Sequence, residues 1–524
     1  MRFINAVLQI TVLTVCIVQG FGGPYNDPHC APGRSVIVHL FEWKWTDIKL
    51  ECDRFLGPKG YCGVQISPPN ENAVITNTTF IFDWATRPWW ERYQPVSYNL
   101  VTRSGDAQEF REMVETCNHA GVRIYVDAVI NHMTANFSGV GTDGSSFDAH
   151  VCSYPTVPYT QVNCNGQDVC GTDDGVIHDY NNEKEARDCS LFGLVDLALG
   201  TDDVRRKIAS YLNTLIDIGV AGFRIDAAKH MWPGDLSVLF SRLNDLKTEY
   251  FGTGKRSFIY QEIIEFKTSK AFSKQYVQTG RVTNFQYGMD MAEIFLRDNL
   301  NLSQFVPTLE SYLPSEDSLV FISNHDNQRT NGSEGPAISF FDEKAYVLAT
   351  GLMLAHPYGV PRVMSSYRWN RHFENGEDKN NWQGPPHNAD MSTANVVIND
   401  DLSCAGDWVC EHRWTPIFKM VNFRNVVHGS PLQNWQSTTP NQMAFSRGNR
   451  GFFAIVSDNS ILNEKLNTGL PVGTYCDVIS GDYVNSACTG KTIHVDATGR
   501  AHVHINGNSA TPMIAIHIDS SLAR

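Results

Sequence analysis

The chain has 524 residues, 42% of them hydrophobic and 19% charged, enough apolar material to bury a large core and to form more than one structural unit. Its formal net charge of −14 excludes a polyanion such as nucleic acid as the main partner and fits a neutral or cationic ligand. Residues 1–20 combine Arg2, the apolar run "FINAVLQITVLTVCIV" and small residues near Gly20, the pattern of a secretory signal peptide; the run is short for a membrane anchor, and no second run of about 18 apolar residues follows.

Eight short β-rich runs then follow in chain order: "SVIVHLF" from 35, "GYCGVQIS" from 60, "VRIYVDAV" from 122, "GFRIDAA" from 222, "SFIYQEI" from 257, "VTNFQYG" from 282, "SLVFISNHD" from 318 and "GVPRVMSS" from 359. Between them, segments such as "DAQEFREMVETCNHAG" and "DVRRKIASYLNTLIDIG" show apolar spacing near 3.6 and a terminal Gly, and read as helices. Repeated strand-then-helix units predict an α/β fold, a parallel (β/α)8 barrel with its active site at the C-terminal strand ends. An open doubly wound sheet fits less well, because no Gly-rich nucleotide fingerprint follows the first strand. About 70 residues rich in Gly, Asp, Asn and Cys separate the third strand from the next helix, too long for an ordinary loop. They predict a small inserted domain over 131–197, interrupting a barrel formed by 21–130 and 198–430. Beyond 430, alternating runs such as "QMAFSRG", "GFFAIVSD", "KTIHVDATG", "AHVHI" and "MIAIHI" predict a C-terminal antiparallel β-sandwich over 431–524.

Of 13 cysteines one, Cys16, falls in the signal segment, and the even remainder shows no repeated C-x-x-C metal pattern, which favours disulfides in an exported protein over zinc. Sequons stand at Asn77, Asn136, Asn301 and Asn331.

Side chains alternate along a strand, so in "GFRIDAA" Phe223 and Ile225 share one face while Arg224 and Asp226 share the other, the barrel interior. The same two-residue step relates Tyr260 to Glu262 and Asn324 to Asp326. Three carboxylates thus reach one rim from the fourth, fifth and seventh runs. Each alone reads as a solvated or salt-bridged strand end; together they suit glycoside hydrolysis, which with retention of configuration needs a close carboxyl pair about 5–5.5 Å apart. In "RPWWERY", Trp89, Trp90 and Tyr93, with Gln94 adjacent, offer flat apolar faces to sugar rings, since consecutive tryptophans cannot both point inward on a regular strand.

"DAVINH", "GFRIDAAKH", the Glu262 strand and "FISNHD" resemble the four signature regions of the α-amylase family of retaining glycoside hydrolases. Longer runs, "VHLFEWKWTDI", "RPWWERYQPVSY", "LAHPYGVPRVMSSYRW" and "DWVCEHRW" among them, resemble the animal members over nearly the whole chain after the signal. The resemblance implies a secreted, monomeric, endo-acting enzyme that cleaves internal α-1,4 bonds of starch, glycogen and malto-oligosaccharides, with no nucleic-acid or membrane partner. A maltase or transglycosylase of the same superfamily is the rival among enzymes, and a catalytically dead carbohydrate-binding barrel the rival outside them. The resemblance makes Asp226 the nucleophile, Glu262 the acid and then base, and Asp326 the group gripping the hydroxyls of the distorted sugar. It gives His132, His230 and His325 hydrogen bonds to the same ring, and Lys229 a contact on the leaving-group side. It implies a structural Ca2+ held by Asn131, Asp196 and the carbonyls of Arg187 and His230, hard oxygen donors that suit this cation. It also implies an activating chloride held by Arg224, Asn324 and Arg362; the alternative for Arg224 is a plain pairing with an acidic neighbour. An anion there would disfavour the ionised form of Glu262 and keep the acid protonated near neutral pH.

The same comparison implies the disulfides Cys52–Cys117, Cys170–Cys189, Cys404–Cys410 and Cys476–Cys488, while Cys30 with Cys62 and Cys152 with Cys164 are conjectured pairs for the remaining four. Two stretches depart from the vertebrate pattern. Asn331 stands where the vertebrate form has a substrate-contacting histidine, and "NTTFIFDWATRPWW" is longer, so the outer sugar positions are expected to differ.

Overall fold

In the computed structural model, which describes residues 23–76, 84–266, 272–329, 335–485 and 487–522, eight parallel strands close into a barrel. The signal segment, the sequons at Asn77 and Asn331 and the start of the loop after "NHDNQR" lie outside the described residues. The strands are β1 (Ile37–Leu40), β2 (Gly63–Ile66), β3 (Arg123–Ala128), β4 (Gly222–Ile225), β5 (Phe258–Gln261), β6 (Arg281–Asn284), β7 (Ser318–Val320) and β8 (Val360–Ser365), one from each run read in the sequence. β8 pairs back onto β1, with Arg362 opposite Ile37, which removes any free edge.

Alternation sorts the strand side chains between two cores. Val38, Val64, Ile124, Val126, Phe223 and Ile225 pack outward into the layer shared with the helices. Tyr125, Phe258, Tyr260 and Phe321 fill the interior. Such large plugs need small neighbours: a Cβ on Gly63 would lie 2.6 Å from the Tyr125 ring, and one on Gly222 only 2.1 Å from the Phe258 carbonyl oxygen. The register also sets the functional layer, since Asp127 of β3 pairs with Arg224 of β4, and Arg224 with Tyr260 of β5.

Helix α1 (Ala107–His119) starts at a capping box in which Asp106 and Glu109 satisfy each other's backbone N–H groups. Helix α2 (Asp202–Ile218) ends at Gly219, whose φ of 123° an L side chain rarely adopts. Between β3 and α2 the chain leaves the barrel and builds two small antiparallel ribbons, His132–Ala135 with Leu194–Asp196 and Ser138–Val140 with Ser146–Asp148. Disulfides Cys152–Cys164 and Cys170–Cys189 staple this excursion; Cys30–Cys62, Cys52–Cys117, Cys404–Cys410 and Cys476–Cys488 complete six bridges. Cross-linking of this density suits an oxidising compartment.

The C-terminal region is two four-stranded antiparallel sheets. Phe452, Ala454 and Val456 of one face Leu462, Val495, Val503 and Ile505 of the other. Strand Gly451–Val456 is buried at every position, because Phe453 and Ile455 on its opposite face join the barrel's outer core. That double coverage explains its unbroken apolar run. Strands Leu432–Gln436, Ile461–Asn467 and Gly473–Cys476 complete the sheets although the sequence pattern did not single them out. Among the described residues no helix is long and apolar enough to cross a membrane.

Candidate active site

Arg224, 2% exposed, is the hub of the barrel mouth. Its Nη1 donates to Asp127 Oδ1 at 2.6 Å and to Asp226 Oδ1 at 2.8 Å, its Nη2 contacts Glu262 Oε1, and Asp326 Oδ2 lies 4.0 Å from the same Nη2. Asp226 and Glu262 stand one residue beyond the ends of β4 and β5. Past Asp226 the backbone turns sharply: Ala227 has φ 49°, uncommon for a residue with a Cβ, and its N–H donates to Glu262 Oε2 at 2.8 Å. The turn thereby draws Glu262 beside Asp226.

One guanidinium cannot neutralise all the carboxyls around it. Burial, followed by the charges of Glu262 and Asp127, pushes Asp226 well above the usual carboxylate range, with Arg224 opposing. Burial likewise pushes Asp127 up, against the pull of Arg224 and Tyr93. Burial and mutual repulsion therefore favour the neutral forms of Asp226 and Asp127, and the Arg224 guanidinium opposes them from within hydrogen-bond distance.

Asp127 and Tyr93 belong to this network, yet Asp127 is absent from the residues singled out in the sequence. Tyr93 Oη donates to Asp127 Oδ2 at 2.8 Å, and its ring stacks on His325 at 5.1 Å. Alternation along β3 was the available signal, because it puts Asp127 on the face of Tyr125, inside the barrel.

Two local expectations need correction. Asn324 and Asp326 do not alternate on a strand: β7 ends at Val320, and the segment beyond is a turn in which Asn324 Oδ1 accepts the N–H groups of Asp326 and Asn327. An Asx-type turn places Asp326 where strand geometry was invoked. Trp89 and Trp90 likewise lie in a 3₁₀ helix, Trp89–Tyr93, not a strand. Successive residues there point about 120° apart. Trp89 accordingly faces the mouth, 5.4 Å from the His325 ring, while Trp90 turns toward Trp84.

The remaining residues divide between the mouth and its supports. His325 Nε2 lies 3.2 Å from Asp326 Oδ2, and burial, then the charge of Arg224, pushes this histidine well below its ordinary value. Burial holds His132 and His230 at about 4, so both are neutral at pH 7. Each reaches a carbonyl, His132 Nε2 that of Tyr93 at 3.0 Å and His230 Nδ1 that of Ala186 at 2.7 Å. Gln94 is buried, and its Oε1 accepts from Ala135 N–H at 3.0 Å, tying the mouth to the excursion. Lys229 holds its ammonium 5.0 Å from the Phe272 ring, and burial lowers its basicity.

The residues expected to hold a cation fit one. Asp196 is buried and pushed well above the carboxylate range by desolvation; Asn165 Nδ2 donates to it at 2.7 Å, and it has no ion-pair partner among the described residues. The Arg187 side chain turns to Tyr276 and Gln275, leaving its contribution to the backbone carbonyl. Among the described residues no three His, Cys, Asp or Glu side chains are grouped to hold a metal, but the expected set needs only one carboxylate, since an amide and two carbonyls supply its other oxygens. Deeper in the barrel the surroundings suit an anion. Arg362 is buried, donates to Gln65 Oε1 at 2.6 Å and makes no ion pair among the described residues; burial chiefly, and Arg224 in part, lowers it. Among the described residues Gln65 Nε2, His325 Nδ1 and both ring nitrogens of His39 are buried without hydrogen-bond partners. Asn324 Nδ2 donates to Asp326 Oδ2 at 3.2 Å, which ties the third expected anion ligand to the carboxylate set.

Two family profiles match the chain: "Alpha amylase, catalytic domain" over residues 91–360 and "Alpha amylase, C-terminal all-beta domain" over 433–519. Among similar proteins, pancreatic alpha-amylase 2a5 of Mus musculus is 50% identical over 523 residues, covering 98% of this chain and 99% of its own. Alpha-amylase 1B of Homo sapiens is 52% identical over 510 residues, covering 96% and 98%. Alpha-amylase of Pecten maximus is 50% identical over 515 residues, covering 98% of each. A mutant of alpha-amylase I from Eisenia fetida, solved in complex with maltohexaose, superposes with a TM-score of 0.87 at 46% identity, over 93% of this chain and 98% of that one. The chain belongs to the α-amylase family.

Proposed function

We propose that the protein is a secreted, endo-acting α-amylase that hydrolyses internal α-1,4-glucosidic bonds of starch, glycogen and malto-oligosaccharides with retention of configuration. The observation that carries this reading is the single guanidinium of Arg224 touching Asp226 and Glu262, with the Ala227 N–H bringing the second carboxyl to the first. Such bridging favours the close carboxyl spacing of about 5–5.5 Å that suits a nucleophile over the wider gap of about 6.5–9.5 Å that leaves room for a water. Asp226 attacks the anomeric carbon and forms the glycosyl–enzyme bond while Glu262 gives its proton to the departing oxygen. Glu262 then takes a proton from water, which releases the sugar from Asp226. Asp326, beside the neutral His325, accepts from ring hydroxyls and stabilises the distorted sugar.

Calcium, held by Asn131, Asp196 and the carbonyls of Arg187 and His230, would clamp the excursion onto the barrel and compensate the buried charge of Asp196. Chloride, held by Arg224, Asn324 and Arg362, would offset the arginine charge that draws protons from the carboxyl cluster. The test is hydrolysis of starch by the mature protein, following loss of iodine colour against reducing ends released. Rapid colour loss at few cuts is expected; slow colour loss with many new ends overturns endo-action, and inertness with calcium and chloride present overturns the amylase reading.

A further inference from the structure

Trp84 is 56% exposed, an unusual position for the largest apolar side chain, and it does not stand alone. Its ring lies 6.0 Å from that of Trp90, at 49°, and 6.2 Å from that of Trp382, at 77°. Neither neighbour lies parallel against it, so the indoles form a stepped surface and not a closed stack. Its base is held firmly. Ala85 is buried, Arg87 N–H donates to Ile75 O at 2.8 Å, and Arg87 pairs with the buried Glu91 at 2.8 Å. The Trp382 loop is joined to the cleft, because Trp89 Nε1 donates to Asn381 O at 2.9 Å and Trp89 N–H to Trp382 O at 3.3 Å.

The aromatic surface is therefore continuous with the catalytic mouth. From Asp326 it passes through His325 to Trp89, whose indole and backbone N–H groups hold the Trp382 loop, and from Trp382 outward to Trp84 and Trp90. We propose that Trp84 is an additional sugar-stacking position, which extends the α-glucan groove by receiving a distal glucose of a long chain. The occupant follows from that continuity: a polymer whose reacting bond sits at Asp226 must leave the mouth along a wall, and this wall presents flat apolar faces that match the CH face of a pyranose. The inference rests on the amylase reading.

Its signature is a dependence on chain length. For wild type, Trp84→Ala and Trp84→Tyr, kcat/KM is measured on maltoheptaose and on a chromogenic maltotrioside, and the ratio of the two is compared between proteins. A fold defect lowers both values together and leaves the ratio unchanged. Trp84→Ala is expected to lower the ratio about tenfold through KM on maltoheptaose, and Trp84→Tyr, which keeps a flat ring, to hold it within about threefold of wild type. An unchanged ratio in Trp84→Ala overturns the proposal, as does a ratio in Trp84→Tyr as low as that in Trp84→Ala. A wild-type protein inert on both substrates overturns the amylase reading and this inference with it.

Discussion

Replacing Asp127 by Asn tests whether the carboxyl cluster titrates as a unit. The change keeps the shape of the side chain and removes one charge. Asp127 Oδ1 and Asp226 Oδ1 accept from the same Arg224 Nη1, at 2.6 and 2.8 Å. The two oxygens therefore lie no more than about 5.4 Å apart, where unit charges repel by about 3 kcal/mol at an effective dielectric of about 20. Fully expressed, that equals about 2 pH units of displacement at Asp226. The rest of the buried cluster absorbs part of that repulsion, so the displacement expected is about one unit. The sign follows from the groups facing Asp226. Burial, Glu262 and Asp127 raise it while Arg224 lowers it, so removing the Asp127 charge brings it down. Attack needs the carboxylate, hence the acid limb of kcat/KM on maltoheptaose should move to lower pH by about one unit. The Asp127 charge is not needed to hold the hub, since Arg224 retains Asp226 and Glu262 as partners. An acid limb that stays in place, or moves upward, in a variant with an unchanged circular-dichroism spectrum would refute the reasoning.

Glu262→Gln should lower kcat on starch by about 10²–10⁴-fold while the protein still folds, because the amide oxygen can accept from Ala227 N–H; a rate near wild type sinks the acid assignment. Exchanging chloride for a large organic anion should lower activity, and Arg362→Met should remove that dependence; equal rates in both salts would show that the orphaned donors around Gln65 need no anion. Chelation should lower the Tm and added calcium restore it, since Asp196 is buried without an ion-pair partner among the described residues; an unmoved Tm refutes the clamp. Glu51 offers a structural control far from sugar chemistry. Burial alone would raise it, but His412 and Arg413 hold it at about 2 against an ordinary 4.5. A depressed value stabilises the fold above the unfolded-state pKa, so on the order of 3 kcal/mol should be lost as pH falls from about 5 toward 2. Glu51→Gln should flatten that part of the Tm–pH curve, and an equally steep curve in the variant would show that the loss comes from elsewhere.

What the sequence made legible follows from where periodicity acts. Each barrel strand announced itself because its outward face needs apolar residues every second position, as Val38, Val64, Val126 and Phe223 show. The same alternation sent Arg224 inward, and the sharp turn after Asp226 added a geometry that no pattern of residue types encodes. Asp326 and the tryptophan pair mark the limit. Both were placed by strand logic, yet one sits in a side-chain-capped turn and the other in a 3₁₀ helix, because loops at a barrel mouth obey local hydrogen bonds and not a period. Asp127 and Gln65 escaped notice for a different reason. Each looks like an ordinary polar residue within an apolar strand, and only the register between strands brings Asp127 against Arg224, while the closure of β8 onto β1 brings Arg362 to Gln65. Function here depends on which side chains meet inside a closed ring, and closure is a property of the whole chain, so a linear reading can nominate the members of the site but not the contacts that set their charge.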